Sequence, residues 1–202
     1  METKKLVIVE SPTKANTIKN LLGEEYSIFA CMGHLVDLPE DRLGVYIDKD
    51  FQPIYVTIAK RKKILAQLMK EADGKKEIYI ATDPDREGEA IGWHIKERMS
   101  SDKNFRRVIF HEITPSAIKE AFSHPRDFDL KMVEAQITRR ILDRIVGYFL
   151  SPLLWRKIVR GLSAGRVQSV TLRLIVDRER EIISFKPQEY WIIEAELTKT
   201  KD

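Results

Sequence analysis

The chain has 202 residues, 43% of them hydrophobic and 33% charged, with a formal net charge of +4. That balance describes a folded, water-facing protein with room for one domain and part of a second, and its apolar runs fall well short of the ~18–20 residues that a helical membrane span needs. A single cysteine, Cys31, excludes an internal disulfide and has no spaced partner for a metal site, so it reads as a small buried residue.

The first residues, "METKKLVIVE", lack the long apolar core of a signal peptide, and a cytoplasmic protein is expected. "KKLVIVE" is a short β-branched run, followed by "SPTKANTIKNLLG" with Ser11 as N-cap, Pro12 in the first turn and Gly23 past the end. A strand therefore feeds a helix. The alternation continues: "EYSIFACMG" as a strand, "AKRKKILAQLMKEADG" as an amphipathic helix, "KEIYIATD" as a strand, "DREGEAIGWHIKERM" as a helix, then "RRVIFHEIT" before "PSAIKEAFS". Alternating strands and helices predict an α/β fold with a mostly parallel sheet and helices on both faces. In such sheets ligands gather at the carboxyl ends of the strands.

Near residue 128 the pattern changes. "DLKMVEAQITRRILDRIVGYFLSPLLWRKIV" has helical spacing, broken once at Ser151-Pro152; "SAGRVQSVTLRLIVDREREI" reads as another helix, and "EYWIIEAELT" starts a strand. The expected organisation is an α/β domain over 1–128 and an incomplete, mainly helical unit over 129–202. Charge divides in a similar way: residues 131–180 hold eleven Lys and Arg against four Asp and Glu, leaving the rest of the chain net acidic. A solvated helix face and a surface for a polyanion both account for the basic stretch.

"ATDPDREGEAIG", residues 81–92, crowds Asp83, Asp85, Glu87 and Glu89 behind an apolar strand. On a still-extended backbone the first three would point to one side. Glu10 ends the first strand in the same manner, and the two ends would meet if those strands lie close in the sheet. Carboxylates around an open position suit Mg²⁺. A helix start is the other reading, with Asp83 as N-cap and Pro84 at the first position; it explains four like charges less well, because two ionised groups ~4 Å apart repel by about 4 kcal/mol at an effective dielectric of 20. One turn can serve both purposes.

"VIVESPTKANTI", "MGHLVDLP", "ATDPDREGEAIGWHI", "FHEIT", "RRILDRIVGYFLSPLLW" and "LSAGRVQSVTLRLIVDRERE" together resemble the amino-terminal part of bacterial type IA DNA topoisomerases. The acidic element is shared by all Toprim domains; "LSAGRVQS" is much narrower. The resemblance implies a Toprim domain followed by the first segment of a helical DNA-binding domain. It puts Glu10, Asp83, Asp85 and Glu87 in the Mg²⁺ set, with Glu87 supporting, and Glu10, Lys14, Asp83, Asp85, Arg86 and Glu87 at catalytic positions. Glu10 matches a proton shuttle to the leaving 3′ oxygen, and Lys14 a lysine near the scissile phosphate. His34, Arg139, Arg140, Asp143, Tyr148 and Trp155 match DNA contacts, as do Ser163, Ala164, Gly165, Arg166, Val167 and Gln168 in a single-strand-binding segment. Small residues before Arg166 let a backbone approach a phosphate at a helix start. Tyr148 and Trp155 offer stacking faces, although at spacing seven they also share a helix face with Ile141 and Ile145 and could pack in a core.

The activity implied is ATP-independent relaxation of negatively supercoiled DNA through a 5′-phosphotyrosine, by a monomer acting on single-stranded segments at the bacterial nucleoid. One departure stands out: the family's nucleophilic tyrosine has an arginine two residues later, and none of the six tyrosines here does. This chain is therefore expected to bind Mg²⁺ and to hold part of a DNA surface, without cleaving by itself. A Toprim nuclease or primase, and a non-catalytic DNA-binding module, are the alternatives.

Overall fold

The computed structural model describes residues 5–99 and 102–199. The chain divides into two compact units, the first running through Phe149 and the second starting at Leu150.

The first unit is built on four parallel strands. β1 (Lys5–Val9) leads through α1 (Pro12–Leu22) to β2 (Tyr26–Ala30). A segment with two small antiparallel ladders follows: β3 (Val36–Asp37) pairs with β6 (Val56–Thr57), and β4 (Val45–Tyr46) with β5 (Gln52–Pro53). Next come α2 (Lys62–Ala72), β7 (Glu77–Ile80), α3 (Arg86–Glu97), β8 (Asn104–Arg107) and α4 (Pro115–Ser123). The sheet order is β2-β1-β7-β8. From β1 the chain runs outward on one side to β2 and then returns to the other side as β7. The carboxyl ends of β1 and β7 thus flank the point where the winding reverses, the usual ligand crevice of an open α/β sheet.

Side-chain alternation explains why both faces are covered. Leu6, Ile8, Ile78 and Ile80 point to one side and pack with Leu68 and Ala72 of α2 and Ile91 and Ile95 of α3. Val7, Val9, Tyr79 and Ala81 point to the other and meet Ile18 of α1 and Ile118 of α4. Cys31 is buried as expected, and burial pushes its thiol up to about 11. Caps set the helix starts: the Ser11 hydroxyl accepts from the Lys14 amide at 3.3 Å, and Thr114 accepts from the Ala117 amide.

Three local expectations differ from the structure. β8 stops at Arg107 instead of running on to Thr114, because its neighbour β7 has by then turned into the acidic loop and only the Val108 amide still reaches Ile80. α5 (Leu130–Lys157) runs unbroken through Pro152. A proline there removes one amide from the ladder, and 28 residues of continuous helix carry the local defect. The stretch "EYWIIEAELT" forms no strand, since among the described residues no neighbouring strand takes up its backbone groups.

The second unit holds the end of α5 and α6 (Arg166–Ser184). None of the residues of α6 is buried, and Val167, Val170, Leu174 and Ile175 are all exposed apolar side chains. Among the described residues no helix is long and apolar enough to cross a membrane.

Candidate functional site at the β1 and β7 strand ends

Parallel pairing of Ile8 with Ile80 places Glu10 beside Asp83. The Asp83 amide donates to Glu10 Oε1 at 2.8 Å, which locks the two strand ends together. Lys14, one turn into α1, donates its ammonium to Glu10 Oε1 at 2.7 Å and also to Asp83 Oδ1. Glu10, Lys14 and Asp83 thus meet in one cluster, with the ammonium between two carboxylates.

The three groups tune one another. Burial pushes the Glu10 carboxyl up, as does the neighbouring Asp83 carboxylate, and together they outweigh the downward pull of Lys14 and of the Asp83 amide. Asp83 is also pushed up by burial, but Glu10 and Lys14 more than offset this and leave it below the usual carboxylate range. Lys14 is held above its ordinary value: burial lowers it, and the bonds to Asp83 and Glu10 prevail. The inner carboxylate is thus the readier proton carrier, and the outer one stays ionised.

The rest of the acidic turn goes elsewhere. Asp85 caps α3 by accepting from the Gly88 amide at 2.7 Å, so the N-cap is Asp85 and not Asp83. Asp83 is held at the strand end from both sides, its amide on Glu10 and its carbonyl on Arg107. Because the helix begins at Arg86, Glu87 is carried toward His34, Nε2 to Oε1 3.6 Å. Arg86 is exposed at the first helical position. Asp83, Asp85 and Glu87 therefore point three ways rather than one. Among the described residues, no three His, Cys, Asp or Glu side chains converge as a ready-made metal site. Glu10 and Asp83 do fit a divalent cation, as hard oxygen donors already gathered around a single positive charge.

Two residues outside the expected site hold this turn in shape: Arg107, which the sequence did not single out, and Glu89, singled out only as one of four crowded carboxylates. Arg107 and Glu89 are both fully buried and paired at 2.8 Å. The Arg107 guanidinium also donates to the carbonyls of Ile80, Thr82, Val108 and Asp83 at 2.6–3.1 Å. Glu89 in turn accepts from Arg126 and from the Asp129 amide. Gly88 packs so tightly that a Cβ there would lie 2.2 Å from the Asp83 carbonyl oxygen. The run Gly88-Glu89-Ala90, small residues around one acid, was the available signal of close packing.

His34 is half-buried, and burial lowers its imidazole below the ordinary value. On α5, Arg140 Nε donates to Asp37 Oδ1 at 2.8 Å, with a second bond from its terminal nitrogen. This pairing, the largest influence on Arg140, raises it. Burial pushes Asp37 up, yet the bonds from Arg140 and the Leu38 amide leave it lowered. Arg144 donates to the Pro39 carbonyl at 2.7 Å. Arg139 and Asp143 form a pair at 3.7 Å along the helix. Tyr148 is half-exposed and meets Phe149 edge-on.

In the second unit, Trp155 is 46% exposed, which leaves part of its ring open to stacking, and Nε1 donates to the Leu162 carbonyl. Ser163 accepts from Gln168 Nε2 at 2.8 Å, the Ala164 amide donates to Ser151 Oγ, and Gly165 caps α6 in an extended conformation. Val167 is exposed, and Arg166 opens the helix.

A doubly wound α/β domain with an acidic pair at its switch point, followed by a basic helical segment, is the class defined so far. The Toprim domain family model matches residues 5–113, and the DNA topoisomerase family model matches residues 127–202. The chain is similar to full-length topoisomerase I from Thermotoga maritima, with 51% identity and a TM-score of 0.78, over 91% of this chain and 32% of that one. The chain belongs to the Toprim family, in the combination of domains found at the amino-terminal end of bacterial type IA DNA topoisomerases. It spans about a third of the length of the Thermotoga protein.

Proposed function

We propose that this chain supplies the Mg²⁺-binding and part of the single-strand DNA-binding surface of a type IA topoisomerase, a monomeric, ATP-independent enzyme that relaxes negatively supercoiled DNA in the bacterial cytoplasm. The observation that carries the reading is the Glu10–Lys14–Asp83 cluster at the β1 and β7 strand ends.

In the reaction, a tyrosine oxygen attacks a backbone phosphorus, the bond to the 3′ oxygen breaks, and a 5′-phosphotyrosine forms; the freed 3′-hydroxyl later reverses the exchange. None of the six tyrosines here has the arginine that follows the family's nucleophile, so that group comes from outside these residues. Glu10, held up by burial, is suited to give its proton to the leaving 3′ oxygen. Lys14 stays charged and can stabilise the phosphate. Glu10, Asp83 and Asp85 would hold Mg²⁺, with Asp85 released from its cap, Glu87 in support and Arg86 beside them. Bound there, the ion supplies positive charge against the phosphate and the leaving oxygen. His34 in 1–128, and Arg139, Arg140, Asp143, Tyr148, Trp155 and the segment Ser163, Ala164, Gly165, Arg166, Val167 and Gln168 in 129–202, serve as the DNA contacts, so the metal chemistry belongs to 1–128 and most of the strand holding to 129–202.

Calorimetric titration with MgCl₂ tests the first half: Asp83→Asn should abolish most of the heat seen with the unaltered chain, and an unchanged isotherm would remove the metal assignment. Fluorescence anisotropy with a single-stranded oligonucleotide tests the second. Arg166→Ala should weaken binding at moderate salt and reduce the salt slope by about one; unchanged affinity would remove that contact. Cleavage of the oligonucleotide by the chain alone with Mg²⁺ would favour a Toprim nuclease instead.

A further inference from the structure

The first unit carries a groove of about 470 Å³ between the tip of the β4–β5 hairpin and α5. The hairpin contributes Phe51 and Pro53, and the helix Ile137, Ile141, Leu142 and Ile145. These helix positions recur at intervals of three or four, so they form one apolar stripe. Arg140 and Arg144 tie α5 to the segment around β3. The stripe stays open, with Leu142 43% exposed and Phe51 48%. Phe51 and its neighbour Asp50 both have positive φ, 58° and 50°. Left-handed backbone is costly for a residue with a Cβ, and a bulky aromatic takes it up least readily. The hairpin nevertheless holds this ring half out of the surface, at the wall of an apolar groove. Asp50 and Glu134 bring two carboxylates to the same lining, and neither carboxylate has an ion-pair or hydrogen-bond partner among the described residues. The hairpin's own ammonium, that of Lys49, lies over the Tyr46 ring, 5.1 Å from its centroid.

Charge and openness narrow the occupant. Two unneutralised carboxylates repel the phosphates of nucleic acid and of anionic lipid headgroups. A small molecule is disfavoured, because its pocket encloses most of its surface, whereas Phe51 and Leu142 face solvent over nearly half of theirs. A second copy of the chain would set the same acidic rim against itself in a two-fold contact. What complements the groove is an apolar ridge flanked by positive charge, which an amphipathic helix offers through side chains at i, i+3, i+4 and i+7.

We propose that this groove docks a basic amphipathic helix of a partner protein, its apolar side chains between Phe51 and the α5 stripe and its lysines or arginines beside Asp50 and Glu134. The surface is independent of the strand-end cluster and of the DNA reading, since none of its residues has a part in either.

Titration of the isotope-labelled full chain with a synthetic helical peptide, its leucines on one face and lysines flanking them, tests this through amide NMR shifts. Shifts should gather at 50–53 and 134–145. Asp50→Asn together with Glu134→Gln should weaken binding by about fivefold to tenfold, as the loss of two exposed ion pairs does. Asparagine accepts the left-handed backbone, so the hairpin is kept. Leu142→Gln should weaken binding by about tenfold, the size of one partly buried leucine. Equal binding of a second peptide with glutamates in place of the lysines overturns the proposal. Shifts gathered elsewhere, or no binding of either peptide, overturn it too, and the metal and DNA readings stand in each case. Shifts at the same amides that grow with the chain's own concentration, without peptide, overturn it in favour of a second copy. The same shifts with indole where the peptide gives none overturn it in favour of a small apolar ligand.

Discussion

The guanidinium of Arg107 meets the carboxylate of Glu89 at 2.8 Å with neither side chain exposed to solvent. This buried pair ties β8 to α3, and through the carbonyls of Thr82 and Asp83 it holds the strand end on which the proposed site stands. Removing one partner of a buried pair leaves an uncompensated charge, at a cost of about 3–5 kcal/mol. Glu89→Gln is expected to lower unfolding free energy by about 3 kcal/mol in urea titrations, a larger loss than any exposed ion pair of the chain would give.

Gly88 is required by close approach, since an added Cβ would overlap the Asp83 backbone. Gly88→Ala should destabilise by about 1–3 kcal/mol, as overpacking does, although alanine normally favours a helix. Thermal unfolding distinguishes the two: a higher melting temperature than the unaltered chain would mean the turn can relax.

His94 makes stability pH-dependent. Its imidazole is held at about 4 in the fold, against 6.5 for the ordinary group. The unfolded chain therefore binds the proton more tightly, and the stabilisation present above pH 6.5 is lost as pH falls from 6.5 toward 4. A shift of this size corresponds to about 3 kcal/mol. Asp37, lowered by Arg140, loses its contribution only below its ordinary value of 3.8, so the two windows separate. Denaturation at pH 7 and pH 4.5 should differ strongly for the unaltered chain and much less for His94→Phe.

Lys14 occupies the charge position between Glu10 and Asp83. If Mg²⁺ uses the same oxygens, the ammonium competes with it. Lys14→Met should then tighten Mg²⁺ binding in the absence of DNA by up to about fivefold, the value of an ion pair worth about 1 kcal/mol. Weaker binding in calorimetry would mean that the lysine organises the carboxylates for the ion instead.

Arg140 is tied to Asp37, and as long as it is, its charge is spent within the protein. Asp37→Asn should raise affinity for a single-stranded oligonucleotide and steepen the salt dependence by about one unit of slope. Anisotropy titrations at two salt concentrations decide this, and an unchanged slope would place Arg140 away from phosphate.

Local order was legible in the residues themselves. The β-branched apolar run in "KKLVIVE" and the Ser11-Pro12 start lie where β1 and α1 are found, and "PSAIKEAFS" coincides with α4, because strand and helix signals and caps depend on neighbours a few positions away. The acidic turn could be recognised for the same reason. Which carboxylates meet could not. Glu10 and Lys14 reach Asp83 only because β1 and β7 are adjacent, across a separation of 69 residues between Lys14 and Asp83. The chain's own spacing does not encode strand order, so the convergence stayed conditional until the sheet was assembled. Tertiary packing also decided that Asp85 caps a helix, that Arg107 and Glu89 become buried partners, and that both His94 ring nitrogens are shut off from water without a hydrogen-bond partner among the described residues. Each depends on what the rest of the fold brings against the side chain, and burial is the quantity that a string of residues does not carry.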